Sequence, residues 1–252
     1  MTPAGLPARS ASLPGPARSR RGRFITLEGG EGAGKSTQQK IILSRLAALG
    51  IDAIGTREPG GSPHAEALRG ILLSGAAAPL GAMAEALLFS AARIDHLDTK
   101  IRPALAKDTW VVCDRFSDST RVYQGALGNI DPRLIRALER VTLGNTRPDL
   151  TLILDLPPEL GLARAAARRG KGEAADRFEA EAMAFHRGLR ASFREIAAAE
   201  PERCALIDAS GNVAEVGGRI WEAIAKRLFS ARMRARARQL AGDQRPRKVA
   251  SA

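Results

Sequence analysis

At 252 residues and 26.8 kDa the chain can bury one good hydrophobic core, and one domain is the default at this size. No apolar run approaches the roughly 20 residues a bilayer-crossing helix needs, so no membrane role is read from it. The formal net charge of +12 suits a nucleic-acid binder at first sight, but about eleven of the twelve excess charges lie at the two ends, which leaves a nearly balanced body and argues against nucleic acid as the main partner.

The basic ends are distinct from the body. Residues 1–22 are rich in Pro, Ala, Ser and Arg without hydrophobic periodicity, and with Arg23 they hold Arg9, Arg18, Arg20 and Arg21 and no acid. They read as a disordered extension, either a transit-like leader or a dispensable addition from an early start codon. Residues 231–252 form a second basic tail, with Arg232, Arg234, Arg236, Arg238, Arg245, Arg247 and Lys248 against Asp243. Between them, 23–230 reads as the folded domain. Its two cysteines, Cys113 and Cys204, sit in apolar runs without metal-ligand spacing and point to reduced core thiols in a cytoplasmic protein.

The strongest local signal follows an apolar strand at Phe24–Glu28. There Gly29-Gly30-Glu31-Gly32-Ala33-Gly34-Lys35-Ser36-Thr37 has the spacing of a P-loop. Glycines let successive amides approach phosphate oxygens, and the helix beginning near Lys35 adds the positive end of its dipole. Lys35 would reach the outer phosphates and Ser36 would offer its hydroxyl to magnesium, with Thr37 nearby. A plain glycine-rich linker would have no strand before it, no helix after it and no Lys-Ser pair at its last glycine.

Lys35 to Leu49 reads as a helix with Leu43, Leu46 and Ala47 in its buried stripe and Gly50 as its stop. A strand over Ile51–Gly55 runs into the turn-rich Thr56-Arg57-Glu58-Pro59-Gly60-Gly61, and a helix from Pro63 to Leu73 carries Arg69. A long helix follows over Ala82–Ala104. Met83, Leu87, Ala91, Ile94 and Ile101 share one arc of it and are expected to face the core. Phe89 and Arg93, four residues apart on the other side, form either a surface cation-π pair or a stacking platform for a base.

Trp110–Cys113 is a third strand, ending in Asp114-Arg115. At the carboxyl end of a strand beside a P-loop, an acid and a base handle either a metal and a phosphoryl group or only each other. Ser119-Thr120-Arg121-Val122-Tyr123-Gln124-Gly125 holds the only tyrosine. A helix over Asp131–Leu143 and a strand over Leu150–Asp155 come next. The run with Arg164, Arg168, Arg169, Lys171 and Asp176-Arg177-Phe178-Glu179 reads by composition as a solvated helical face, with Gly170 and Gly172 making a mobile loop. A helix to Ala199, a strand over Cys204–Ile207 and a helix over Val213–Phe229 close the pattern. Strands alternating with helices behind a P-loop give a three-layer parallel α/β fold.

The P-loop, Thr56–Gly61, Leu88-Phe89-Ser90-Ala91-Ala92-Arg93, Asp114-Arg115-Phe116 and Tyr123-Gln124-Gly125 occur in an order that resembles the bacterial thymidylate kinase family from Phe24 to Phe229. The resemblance implies a five-stranded parallel sheet flanked by helices, a mobile lid over about 164–178, a homodimer, and phosphoryl transfer from ATP to dTMP with Mg2+. It implies that Gly29–Thr37 hold ATP, that Glu31 faces the acceptor sugar's 3′-hydroxyl, that Phe89 stacks on thymine and that Arg93 donates to thymine O4. Ser119 or Thr120 and Gln124 would lie at the base edge, and the Tyr123 ring would crowd C2′.

Arg115, Arg69 and Arg57 would surround the acceptor phosphate, with Asp114 positioning Arg115 and the magnesium shell. The loop offers no arginine of its own, so Arg164, Arg168, Arg169 and Arg177 become the transition-state candidates, of which Arg168 and Arg169 are assigned with Lys35, Asp114 and Arg115 to catalysis. Ser62, where threonine is frequent, and the two basic ends depart from the family pattern. Two rivals stand beside this reading. One is a P-loop kinase for another nucleoside monophosphate, and the other is a nucleic-acid binder that uses the basic tails.

Overall fold

The computed structural model of the chain describes residues 22–168 and 177–243. The leader, the lid residues 169–176 (with Arg169, Gly170, Lys171, Gly172 and Asp176) and the end of the tail (with Arg245, Arg247 and Lys248) lie outside the described residues. Five strands, β1 (Phe24–Gly29), β2 (Ala53–Arg57), β3 (Trp110–Asp114), β4 (Leu150–Asp155) and β5 (Cys204–Asp208), form one parallel sheet in the order β2-β3-β1-β4-β5. All of β1 is buried, as a central parallel strand covered on both faces must be, and its residues read accordingly as one apolar run.

Register carries the functional consequence. Leu27 of β1 and Arg57 of β2 both pair with Asp114 of β3, so β2 and β3 end level, β1 runs two residues further to Gly29, and all three discharge their loops at one edge. The long crossovers bring helices over both faces. On one side α1 (Lys35–Ala48) and α9 (Val213–Leu228) cover Ile25, Leu27, Val112 and Leu152. On the other, Phe24, Val111 and Cys113 meet Leu97, Ile101, Leu105, Phe116 and Leu143, while Ile153 packs with Leu189 and Phe193 of α8 (Met183–Ala199).

The helix ends follow their local chemistry. Gly34 caps α1 at φ 92°, a left-handed conformation that a side chain would strain. Asn212 accepts from the Ala214 and Glu215 amides while Glu215 returns to the Asn212 amide, a complete capping box for α9. Pro132 follows the Asp131 cap at the start of α6 (Pro132–Leu143).

Several expectations are corrected. Strand β2 begins and ends two residues later than expected, so Thr56 and Arg57 are strand residues. On α1 the buried positions are Lys35, Gln38, Ile42 and Leu46, with Leu43 half-buried and Ala47 exposed. The long helix is three pieces: α3 (Gly81–His96), a π turn at Leu97–Ile101 and α4 (Arg102–Ala106).

The largest correction concerns its apolar stripe. Met83, Leu87 and Ile94 are 40, 51 and 40% exposed, Ala91 is exposed too, and only Ile101 is in the core. The buried positions of α3 are Glu85, Ala86, Ser90, Ala92, Arg93 and His96. Periodicity identifies a stripe but not what faces it, and here the polar side turns inward to build a cavity wall. The basic tail carries structure of its own. It opens with α10 (Ala231–Asp243), which buries Ala237, packs Met233 on the main core and donates from Arg234 to the Phe229 carbonyl at 2.9 Å. Among the described residues no single helix is long and apolar enough to cross a membrane, and the one apolar pair, 63–73 with 78–106, bends by 81°.

The two faces of α1 make a direct comparison. Leu46 is fully buried, so Leu46→Ala is expected to lose about 2–5 kcal/mol in urea unfolding, whereas Ala47→Lys is expected to stay within about 0.5 kcal/mol. Equal losses at the two positions would contradict this packing.

Candidate active site

The P-loop leaves β1 at Gly29 and turns through Gly32, at φ 64°, pressed against the carbonyl of Gly161 in α7 (Pro158–Arg168); a Cβ on Gly32 would collide with that oxygen. Lys35 is buried behind the loop and donates to the Gly29 and Gly30 carbonyls at 3.1 and 2.7 Å. Burial and the neighbouring Arg115 lower its pKa, against the pull of Glu31, Asp114 and Glu28. Ala33 puts its methyl in the core, and Thr37 is exposed on the first turn of α1.

Ser36, next along, donates its hydroxyl to Asp114 Oδ2 at 2.6 Å. That places a hydroxyl and a carboxylate oxygen side by side at the P-loop, hard donors suited to magnesium. Among the described residues no group of three or more His, Cys, Asp or Glu side chains could hold a metal by itself. The pair therefore fits an ion that takes one or two protein oxygens and completes its shell with phosphate and water.

The turn after β3 is strained. Arg115 sits at φ 67°, a left-handed conformation unusual for an arginine, and its amide donates to the Leu27 carbonyl at 2.9 Å. This aims the guanidinium across the edge of the sheet, where it donates to the Gly29 carbonyl at 3.2 Å, ion-pairs with Glu31 and lies over the Tyr123 ring at 5.2 Å. The Tyr123 hydroxyl donates to the same Glu31 oxygen at 3.1 Å. Burial would raise the Glu31 carboxyl, but Arg115, Lys35 and that hydroxyl bring it down to about 2.

Directly behind, Glu28 accepts from the Phe116 amide at 2.8 Å and from the Ser119 hydroxyl at 2.7 Å, holding the turn in place. Burial and nearby Asp118 push its pKa up to about 7.

One cavity of about 240 Å³ runs from the P-loop to the flank of α3. Arg57 and Arg69 stand on its wall; Arg57 pairs with Glu66 at 3.0 Å, and Arg69 donates to the Pro59 carbonyl at 2.7 Å. Phe89, Ser119, Thr120, Tyr123 and Gln124 line the far end with Arg93. Arg93 is no surface group: it is 4% exposed, ion-paired to Glu58 at 2.7 Å, and bonded to Thr120 Oγ1 at 3.0 Å and the Phe116 carbonyl at 3.2 Å. Its aromatic partner is Phe116, at 5.2 Å, rather than Phe89. Glu58 is itself anchored through His96 Nδ1 at 3.1 Å, and His96 Nε2 meets Thr56 Oγ1 at 2.7 Å. A buried chain Thr56–His96–Glu58–Arg93 thus fixes the guanidinium.

The expected residues divide clearly. The cavity brings together Glu31, Gly32, Gly34, Lys35, Ser36, Asp114 and Arg115 with the acceptor-side residues just described, and of the lid arginines it includes Arg168. Arg164 instead donates to the carbonyls of Ala209, Ser210 and Gly211, and Arg177 pairs with Glu85. Glu28, Glu58, His96 and Phe116 were not singled out by sequence reasoning. Glu58 and Phe116 lay inside quoted motifs, whereas nothing local marked His96 or the buried end of β1.

A family model described as thymidylate kinase matches residues 27–220. The thymidylate kinase of Nitrobacter winogradskyi is 60% identical over 215 residues, covering 85% of this chain and 93% of that protein. That of Rhodopseudomonas palustris is 61% identical over 213 residues, covering 84% and 92%. A crystal structure of thymidylate kinase from Ehrlichia chaffeensis superposes with a TM-score of 0.65 at 30% identity, covering 81% of this chain and 98% of that one. With a five-stranded parallel sheet, a P-loop and an arginine-rich cavity at one sheet edge, this chain belongs to the thymidylate kinase family.

Proposed function

We infer that this chain is a dTMP kinase, which transfers the γ-phosphoryl group of ATP to dTMP and gives dTDP and ADP. The observation that carries the reading is the single cavity in which phosphate-binding and base-reading groups meet. P-loop amides and Lys35 hold the ATP phosphates. Ser36 and Asp114 would hold magnesium, which would supply charge neutralisation for the phosphates.

Arg115, Arg57 and Arg69 receive the acceptor phosphate. That phosphate is already an anion, so the reaction needs positioning and charge neutralisation rather than a general base. Phe89 stacks on thymine, and Arg93 donates to its O4. Cytosine presents an amino donor at the same place, so a fixed guanidinium loses its bond there. The chain from Thr56 to Arg93 supports this by removing any other posture for the arginine. Tyr123 crowds C2′, Glu31 faces the 3′-hydroxyl, and Ser119 and Gln124 flank the base edge. Arg168, at the end of α7, and Arg169 beyond it would supply the lid's charge over the phosphoryl group and keep water from it, while Arg164 stays with the carbonyls beyond β5.

The working form is a homodimer in the cytoplasm, with 23–230 as the kinase domain. Supporting the dimer, Met83, Leu87 and Ile94 of α3 stay exposed among the described residues, and Leu134 and Val141 of α6 are 51 and 80% exposed. Supporting the compartment, Cys113 and Cys204 are both buried free thiols.

ADP formation measured with dTMP, dUMP, dCMP, UMP and AMP tests the assignment; it fails if anything outside dTMP and dUMP is preferred. Lys35→Ala is expected to lower kcat on the order of 10³-fold with an unchanged circular dichroism spectrum, and retained turnover would refute the site. Glu58→Gln, which removes the counter-charge of Arg93, is expected to raise KM for dTMP about tenfold and to narrow the preference over dCMP; unchanged discrimination would remove Glu58 from the selectivity account.

Glu31 also sets an acid limit. Its folded pKa of about 2 lies below the ordinary 4.5, so it contributes stability that is complete above pH 4.5 and lost as pH falls toward 2, on the order of 3 kcal/mol. Unfolding curves of the wild type and Glu31→Gln between pH 2 and 6 should therefore converge at the acid end. Parallel curves would contradict the ion pair.

A further inference from the structure

A second basic cleft lies behind the acceptor site. Its volume is about 520 Å³, within the range of small-molecule sites, and Arg121, Arg133, Arg136, Arg140, Arg147 and Arg203 line it with only Glu139 and Glu200 among the acids. Arg136 and Arg140 are one turn apart on α6 with Arg133 beside them, an arrangement of like charges that weakens a helix unless an anion sits against it. Arg133 pairs with Asp131, whereas Arg136, Arg140 and Arg147 have no ion-pair partner among the described residues. The floor is different. Arg121 reaches Asp118 at 3.0 Å and Glu200 at 2.6 Å, and Arg203 reaches the same two acids at 2.6 and 2.9 Å.

The floor touches both cavities. The one-turn helix α5 (Ser117–Thr120) directs Asp118 to Arg121 and Arg203, while Ser119 and Thr120 line the acceptor cavity and Ser117 lines the cleft. Arg203 also donates to Thr151 Oγ1 at 2.7 Å, and Thr151 meets Thr26 of β1 at 2.8 Å. Burial would raise the Asp118 carboxyl, but Arg203 and Arg121 hold it below its ordinary value, and Asp118 in turn acts on Glu28.

We propose that this cleft binds the phosphate chain of a small polyphosphate-bearing molecule, and that its occupation is felt in the acceptor site through α5. Guanidinium forks on two walls converge on one concave space, which suits a compact polyanion better than the spaced phosphates of a nucleic-acid duplex. An anion competing with Asp118 and Glu200 for Arg121 and Arg203 alters the support of the turn that carries Ser119. By linkage, acceptor binding and anion binding then change each other's affinity by one factor.

Calorimetric titration of inorganic tripolyphosphate into the full chain tests this, with both nucleotide sites filled by an analogue joining adenosine to thymidine through a phosphate chain. The wild type is expected to bind one equivalent. The R136E/R140E variant, altered at two exposed positions, should bind at least tenfold more weakly with kcat and circular dichroism unchanged; R136A/R140A serves as the milder pair. Equal binding by wild type and variants, or no binding by the wild type, overturns the site.

Repeating the titration with dTTP and ATP distinguishes a nucleotide from free polyphosphate as the source of the phosphate chain, since tighter binding than tripolyphosphate requires contacts to the nucleoside. A DNA duplex that binds through Arg136 and Arg140 where tripolyphosphate does not would overturn the proposal in favour of nucleic acid. For the coupling, tripolyphosphate should change dTMP affinity at least twofold in the wild type and not in R136E/R140E. The same change in both proteins would assign it to the P-loop and overturn the link.

Discussion

The architecture depends on one shared edge of the sheet. Because Leu27, Asp114 and Arg57 share a register across β1, β3 and β2, the P-loop and the Asp114-Arg115 turn emerge side by side, and Arg115 can reach Glu31 and the Gly29 carbonyl. A shift of one residue would send every side chain of β3 to the opposite face and separate these groups. The left-handed backbone of Arg115 is the local cost of this closeness, and Glu28 stabilises it from behind by accepting from Phe116 and Ser119.

The site concentrates positive charge in one cavity. Lys35, Arg57, Arg69, Arg93, Arg115 and Arg168 all line one cavity. Three of them are each held by an acid. Glu31 holds Arg115, Glu66 holds Arg57, and Glu58 holds Arg93. Of these three pairs only Arg93–Glu58 is almost wholly buried, so its guanidinium is the most firmly fixed of the three. One guanidinium of the cavity is thus anchored in the core of the protein, whereas the other two stand nearer its surface.

The sheet, the P-loop and most cavity residues were legible in the sequence because each has a local cause: apolar runs for central strands, glycine spacing for the loop, and acid-base pairs at strand ends. The face of α3 was not legible. Its apolar stripe is real, but a helix whose inward side carries Glu85, Arg93 and His96 reverses the usual inference from hydrophobicity to burial. The long-range chain Thr56–His96–Glu58 was hidden for another reason, since it joins residues 40 positions apart in sequence through side-chain geometry alone. Arg164 shows the opposite failure: a run of arginines looks uniform in sequence, yet one of them is committed to the carbonyls beyond β5.

The most direct test of the central claim is a crystal structure with dTMP and a non-hydrolysable ATP analogue bound. The account predicts the dTMP phosphate within hydrogen-bonding distance of Arg115, thymine against Phe89 with O4 at Arg93, and the triphosphate along Gly29–Thr37. A dTMP phosphate bound away from Arg115, with thymine outside the Phe89–Arg93 wall, would contradict it.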